Sequence, residues 1–179
     1  MAKLIDQRVQ LQKDFKVKDR NMLNQILEGD PVSFANVRHP FERLVSGYLD
    51  KAHKGEGNTF ELFVAKVLRV WSQAQGSTNT FNYAAMDMHW RPYHTHCSFC
   101  NVPYKVISKT ETFDEDKTRI LEMLGVEEEG GERKNVHGGD NIGDETRKCF
   151  KNITPEVKTE LLELYKYEFA MFNYNTDLY

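Results

Sequence analysis

The side chains best suited to chemistry fall in two clusters. The first is the run Arg38-His39-Pro40-Phe41-Glu42-Arg43-Leu44-Val45-Ser46. A guanidinium at Arg38 offers a fork that matches the oxygens of a phosphate or sulfate, and a helix start adds unpaired N–H groups with partial positive charge. Ser46 falls with Glu42 on the polar side of such a helix, away from Phe41, Leu44 and Val45. Together these groups suit a small, locally gripped anion. The alternative makes Arg38 and Arg43 surface ion-pair partners of Glu42 and Asp50, with Ser46 a solvated helix residue. The second cluster is His89, His94, His96, Cys97 and Cys100, ligand types that zinc prefers. Against zinc, His94-Thr95-His96-Cys97 is crowded and no second Cys pair follows at ribbon spacing.

These clusters need elements to hold them. Met22, Leu23, Ile26 and Leu27 are spaced as a helix that breaks at Gly29-Asp30-Pro31. Val32 to Val37 alternates like a strand and stops at Arg38-His39-Pro40. Phe41, Leu44, Val45, Tyr48 and Leu49 then make one face of an amphipathic helix, with Pro40 in its first turn. Asn58-Thr59-Phe60-Glu61 reads as a capping box opening a helix through Trp71. Tyr104 to Ser108 predicts a second strand, and Thr112-Phe113-Asp114-Glu115 caps a helix that runs to Leu124-Gly125. Glu and Gly dominate the stretch from about 126 to 148, which predicts a mobile surface loop. Thr154-Pro155 opens a last helix with Leu161, Leu162, Tyr165, Phe169 and Phe172 as its apolar face. Alternating strands and helices predict an α/β fold with a mainly parallel sheet flanked by helices, in which ligands bind where strands end.

Composition narrows the classes. The chain has 179 residues, the length of one domain. A net charge of -3 and a pI near 6.1 argue against a nucleic-acid binder, which needs an excess of Lys and Arg on some surface. Three cysteines are too few for a disulfide framework and leave the redox compartment open. No apolar run approaches the roughly 18 residues of a membrane span, and the first residues lack a signal-peptide apolar block. No repeat of fixed period is visible.

Phe34-Ala35-Asn36-Val37-Arg38-His39-Pro40-Phe41-Glu42-Arg43-Leu44-Val45-Ser46-Gly47-Tyr48 resembles the 3′-phosphate-binding segment of the Golgi carbohydrate sulfotransferases, in the chondroitin, dermatan and N-acetylgalactosamine 4-O-sulfotransferase branch. The resemblance continues in His89-Trp90-Arg91-Pro92, in Cys97 and Cys100, in Tyr104 through Lys109 to Glu111-Thr112, and in Leu164-Tyr165 to Phe169 and Phe172 to Tyr174. It implies a P-loop-like sulfotransferase architecture in which Arg38 and Ser46 hold the 3′-phosphate of 3′-phosphoadenosine 5′-phosphosulfate, while Pro40 and Arg43 shape the segment. It implies a glycan or glycosaminoglycan acceptor, no metal, and a type II membrane protein of the Golgi lumen held by an N-terminal anchor. His39 stands where Asp or Asn is usual, Lys105 and Ser108 replace a usual Asp and Gly, and Ser98-Phe99 lacks the usual Pro before the second Cys. No Pro-Lys pair, the start of the family's 5′-phosphosulfate loop, occurs in the chain. The expectation is a single partial domain over residues 1–179 without its first strand, that loop or the anchor.

Sulfuryl transfer to a sugar hydroxyl needs a base, and neutral histidine suits the task. His89 is the candidate, the alternative being that it fixes the substrate loop by a hydrogen bond. Trp90 either stacks on a sugar or packs in the fold. Lys109 and Glu111 either orient a ligand or form a solvated pair. The resemblance favours a local Cys97–Cys100 disulfide over zinc or free thiols. Asn152-Ile153-Thr154 is a glycosylation sequon in which Thr154 also serves as a helix cap. Two other functions stand beside the sulfotransferase: a zinc-stapled non-catalytic interaction module, and a glycan-binding remnant without donor chemistry.

Overall fold

The computed structural model describes residues 33–52, 57–74, 85–97, 99, 102–125 and 141–179. The helix expected at Met22 to Leu27 and the Cys97–Cys100 pairing lie outside these residues, the latter because Cys100 does. In chain order the elements are β1 (Phe34–Val37), α1 (Pro40–Gly47), α2 (Phe60–Ala74), β2 (Val106–Lys109), α3 (Phe113–Leu124), α4 (Ile142–Phe150) and α5 (Pro155–Phe172). The chain divides into two compact units, Met1–Arg38 with Tyr93–Glu132, and His39–Pro92 with Arg133–Tyr179.

In the first unit β1 and β2 pair in parallel, Phe34 opposite Val106 and Val37 opposite Lys109. This is the expected α/β pattern of strand and helix with a small parallel sheet. Pairing starts later than Tyr104 because Tyr104 N–H turns back to the Val102 carbonyl and Pro103 has no N–H to give. Ser108 is fully buried, and its hydroxyl lies against the Ala35 carbonyl and the Asn36 side chain, 3.4 and 3.3 Å away. Thr110 Oγ1 donates to the Val37 carbonyl at 3.1 Å and so ties down the end of β1. Thr112 does not cap α3 as expected. Its hydroxyl donates to Asp116, whose carboxylate also accepts the Lys109 N–H. Gly125 ends α3 in the left-handed region at φ 64°, the conformation that favours glycine.

The second unit is helical, with a core of Phe41, Leu44, Val45, Tyr48, Val64, Leu161 and Tyr165 among others. Phe41 stacks on Phe150 of α4 with ring centres 4.6 Å apart, and Phe169 of α5 meets it edge-on at 5.2 Å. His39 caps α1: its Nδ1 accepts the Phe41 N–H, which leaves the proton on Nε2 to donate to the Asn175 carbonyl at 3.1 Å. The histidine therefore does locally what an Asp would do, because it is buried among the rings of Phe41, Phe169, Tyr174 and Tyr179. The cap of α2 is Thr59 rather than Asn58, and its Oγ1 accepts from Leu62 N–H at 3.4 Å. Asn58 instead offers its carbonyl to the Tyr48 hydroxyl.

Residues 142–150 form α4, where composition had predicted a loop up to about 148. Ile142, Thr146, Cys149 and Phe150 recur at helical spacing, and Asp144–Arg147 and Glu145–Lys148 are ion pairs one turn apart. The Gly-rich composition of the preceding residues masked that pattern. The buried face of α5 is Leu161, Leu164, Tyr165, Glu168, Phe169 and Phe172, so Leu164 and Glu168 take the place expected of Leu162.

Candidate functional site

From Val37 to Tyr48 every residue is buried except Arg38 and Ser46. The burial follows from the sequence. Pro40 sets the first turn, Phe41, Leu44 and Val45 enter the core, and Gly47 lets α1 press against the segment that carries His89 and Trp90. A Cβ at Gly47 would lie 3.3 Å from the Trp90 ring and 3.6 Å from His89 Cβ.

The polar side predicted for α1 is not solvated. Glu42 is buried and accepts a hydrogen bond from the Tyr179 hydroxyl. Arg43 is not a surface partner of Glu42 or Asp50. It is buried, with Nη2 on both carboxylate oxygens of Glu168 at 3.0 Å and Nη1 on the Arg91 carbonyl at 2.6 Å. Asp50 pairs with Lys51 instead. The helix start also differs from the expected open anion site. Pro40 has no N–H, Phe41 N–H goes to His39 Nδ1, and Arg43 N–H goes to the His39 carbonyl. The residues of the stretch that are only half-buried are Arg38 at the end of β1 and Ser46 on α1.

The segment from Met86 to Arg91 is held by its own carbonyls. Arg91 folds its guanidinium back onto the Met86 carbonyl through Nε at 2.9 Å and Nη2 at 2.6 Å. Tyr165 of α5 donates to the Trp90 carbonyl at 2.7 Å, and Arg43 of α1 to that of Arg91. Asp87 Oδ1 accepts both the His89 N–H at 2.9 Å and His89 Nδ1 at 2.5 Å. Burial pushes the Asp87 carboxyl up, but the hydrogen bonds from His89 and the nearby charges of His89 and Lys51 outweigh it and hold the group below its ordinary value. In the neutral imidazole, donation from Nδ1 to Asp87 leaves Nε2 with the lone pair that a base needs. Trp90 packs edge-on against Phe63, ring centres 5.0 Å apart. A cavity of about 660 Å³ lies beside this segment, bordered by Asp87, Trp90, Phe63, Lys51 and Lys66.

Arg43 thus bonds the segment that carries His89 at the Arg91 carbonyl, and Arg38 belongs to the other unit, at the end of β1. Sequence reasoning missed Asp87 and Glu168, and it read Tyr165 as an apolar face residue without the bond from its hydroxyl to the Trp90 carbonyl. The available signal was Glu168, a carboxylate inside the apolar stripe of a helix, which demands a buried cation. In the second cluster, the Tyr104 hydroxyl donates to the Cys97 carbonyl at 2.7 Å. Among the described residues no three His, Cys, Asp or Glu side chains converge on a point that would hold a metal.

A profile of the sulfotransferase family matches residues 2–175. The chain belongs to the sulfotransferase family. Among its relatives, carbohydrate sulfotransferase 11 of Mus musculus is 28% identical over 177 residues, covering 83% of this chain and 48% of the relative. Carbohydrate sulfotransferase 9 of Homo sapiens is 26% identical over 162 residues, with 78% and 37% covered. Carbohydrate sulfotransferase 12 of Mus musculus is 23% identical over 171 residues, with 79% and 39% covered. The chain spans about half the length of these relatives or less. No solved structure matches it. Family membership displaces the zinc-stapled module as a reading of this sulfotransferase chain. Among the described residues no helix is long and apolar enough to cross a membrane.

Proposed function

We propose that the protein takes part in sulfuryl transfer from 3′-phosphoadenosine 5′-phosphosulfate to a hydroxyl of a glycan or glycosaminoglycan. The observation that carries this reading is the burial pattern of the family segment: Arg38 and Ser46, the two residues that resemblance assigns to the 3′-phosphate, are the two that stay accessible between Val37 and Tyr48. A guanidinium and a hydroxyl are the right chemistry for a phosphate. Pro40 and Arg43 contribute by fixing α1 rather than by touching the anion.

In the transfer, the acceptor oxygen attacks sulfur, the bond between sulfur and the 5′-phosphate oxygen breaks, and the nucleotide bisphosphate leaves. His89 takes the acceptor proton on Nε2 while Asp87 holds Nδ1, the division of roles seen in other carboxylate-backed histidine bases. Positioning and charge neutralisation supply most of the acceleration, as in phosphoryl transfer. The names of the relatives support a carbohydrate acceptor, and a membrane-anchored Golgi protein is the setting that the resemblance implies.

Calorimetry with 3′-phosphoadenosine 5′-phosphate tests the proposal. Arg38→Ala should lose a charge-assisted contact and weaken binding by about 1.5–3 kcal/mol. Unchanged affinity would count against the assignment.

A further inference from the structure

Arg43 and Glu168 meet inside the helical unit and yet their contacts lead outward to the segment that carries His89. One nitrogen of the guanidinium is committed to both Glu168 oxygens and the other to the Arg91 carbonyl. Glu168 is fully buried on α5, so it anchors Arg43 to the core and has no role at the surface. One helical turn earlier on the same face, the fully buried Tyr165 bonds the Trp90 carbonyl and lies under the guanidinium, 5.6 Å from its ring centre. Trp90 N–H and Arg91 N–H both return to the Asp87 carbonyl, at 3.2 and 2.9 Å. The residue that orients His89 is therefore fixed through a continuous set of hydrogen bonds that begins at Arg43 and Tyr165.

We propose that Arg43, Glu168 and Tyr165 form a latch that holds the Asp87–His89 pair in its proton-accepting arrangement, making them positioning residues for turnover rather than ligands of the nucleotide. The inference rests on His89 being the base of the proposed reaction. It deepens that reading by giving the second arginine of the family segment a task different from that of Arg38. The task needs a guanidinium. A lysine has one nitrogen and cannot serve Glu168 and the Arg91 carbonyl in the same two-sided geometry.

The experiment compares Arg43→Lys and Tyr165→Phe with wild type by three measurements: calorimetric affinity for 3′-phosphoadenosine 5′-phosphate, steady-state kcat and donor KM, and hydrogen exchange at the Trp90 and Arg91 amides. Tyr165→Phe removes a single hydroxyl and keeps the ring, so it reports even if Arg43→Lys fails to fold. The latch predicts nucleotide affinity and donor KM within about twofold of wild type, kcat lowered about tenfold or more by the misplaced base, and faster exchange at both amides. Two results overturn it: weaker nucleotide binding in Arg43→Lys with kcat otherwise intact, or unchanged kcat in Tyr165→Phe despite faster exchange. Wild-type protein that binds no nucleotide and transfers no sulfuryl group overturns the proposed function itself and the turnover role with it.

Discussion

Arg43 and Glu168 put two charges in the buried interior of the helical unit, and the consequence for substitution is asymmetric. Their mutual attraction only roughly offsets the loss of hydration, but removing one partner leaves the other charge buried and unpaired, a loss of about 3–5 kcal/mol. Glu168→Ala should therefore lower stability to urea by that amount, and a change below about 1 kcal/mol would show that water or another group compensates. Cys149 gives a second expectation. Burial first, then the nearby Glu145 and Glu61 carboxylates, push its thiol from 9.0 up to about 11. The folded state thus retains a proton that the unfolded chain releases. The contribution is fully present below pH 9 and lost as pH climbs towards about 11. Denaturation across that window should show stability falling with pH in wild type and a shallower fall in Cys149→Ala; parallel curves would contradict the assignment. The partial accessibility of Arg38 and Ser46 was legible in the sequence because polar residues at a strand end and on a helix stand out against apolar neighbours. Glu42 and Arg43 were misread, since spacing places them on a polar face and only the packing of α5 and the Tyr179 hydroxyl shows that the face is covered.

Elements were legible where local chemistry decides them. Thr154 accepts from Val157 N–H and Pro155 follows it, as the order Thr-Pro foretells, and α5 starts there. Thr154→Ala should cost about 1 kcal/mol in urea denaturation, and no measurable change would mean that the tertiary contacts of α5 define its start. The end of α3 is equally local: Gly125→Ala places a Cβ in the left-handed region and should cost about 1 kcal/mol, although among the described residues nothing lies within 4 Å to clash with it. Where more than one side chain could serve a group, the sequence misled. The hydroxyl of Thr112 goes to Asp116 rather than to an orphan amide, and Thr59 rather than Asn58 caps α2, while the Asn58 backbone carbonyl accepts from the Tyr48 hydroxyl. α4 stayed hidden because its apolar residues are few and their worth depends on Phe41 and the rest of the core.

At the scale of the whole molecule, the strand–turn–helix order and the α/β class follow from alternating periods in the sequence, whereas the burial of Glu42 and Arg43 follows from the packing of the C-terminal residues and α5 on α1. A mildly acidic chain with net charge -3 has no overall positive field to draw in an anion, which puts the weight of recognition on local contacts. The claim at the centre is that Arg38 and Ser46 read the 3′-phosphate of the nucleotide. Its most direct test is a thermodynamic cycle: affinities for 3′-phosphoadenosine 5′-phosphate and for adenosine 5′-phosphate, measured by calorimetry in wild type and in the double variant Arg38→Ala, Ser46→Ala. The account predicts that wild type prefers the 3′-phosphorylated nucleotide by at least about 1.5–3 kcal/mol and that the preference collapses in the variant. A preference of equal size in both proteins would contradict it.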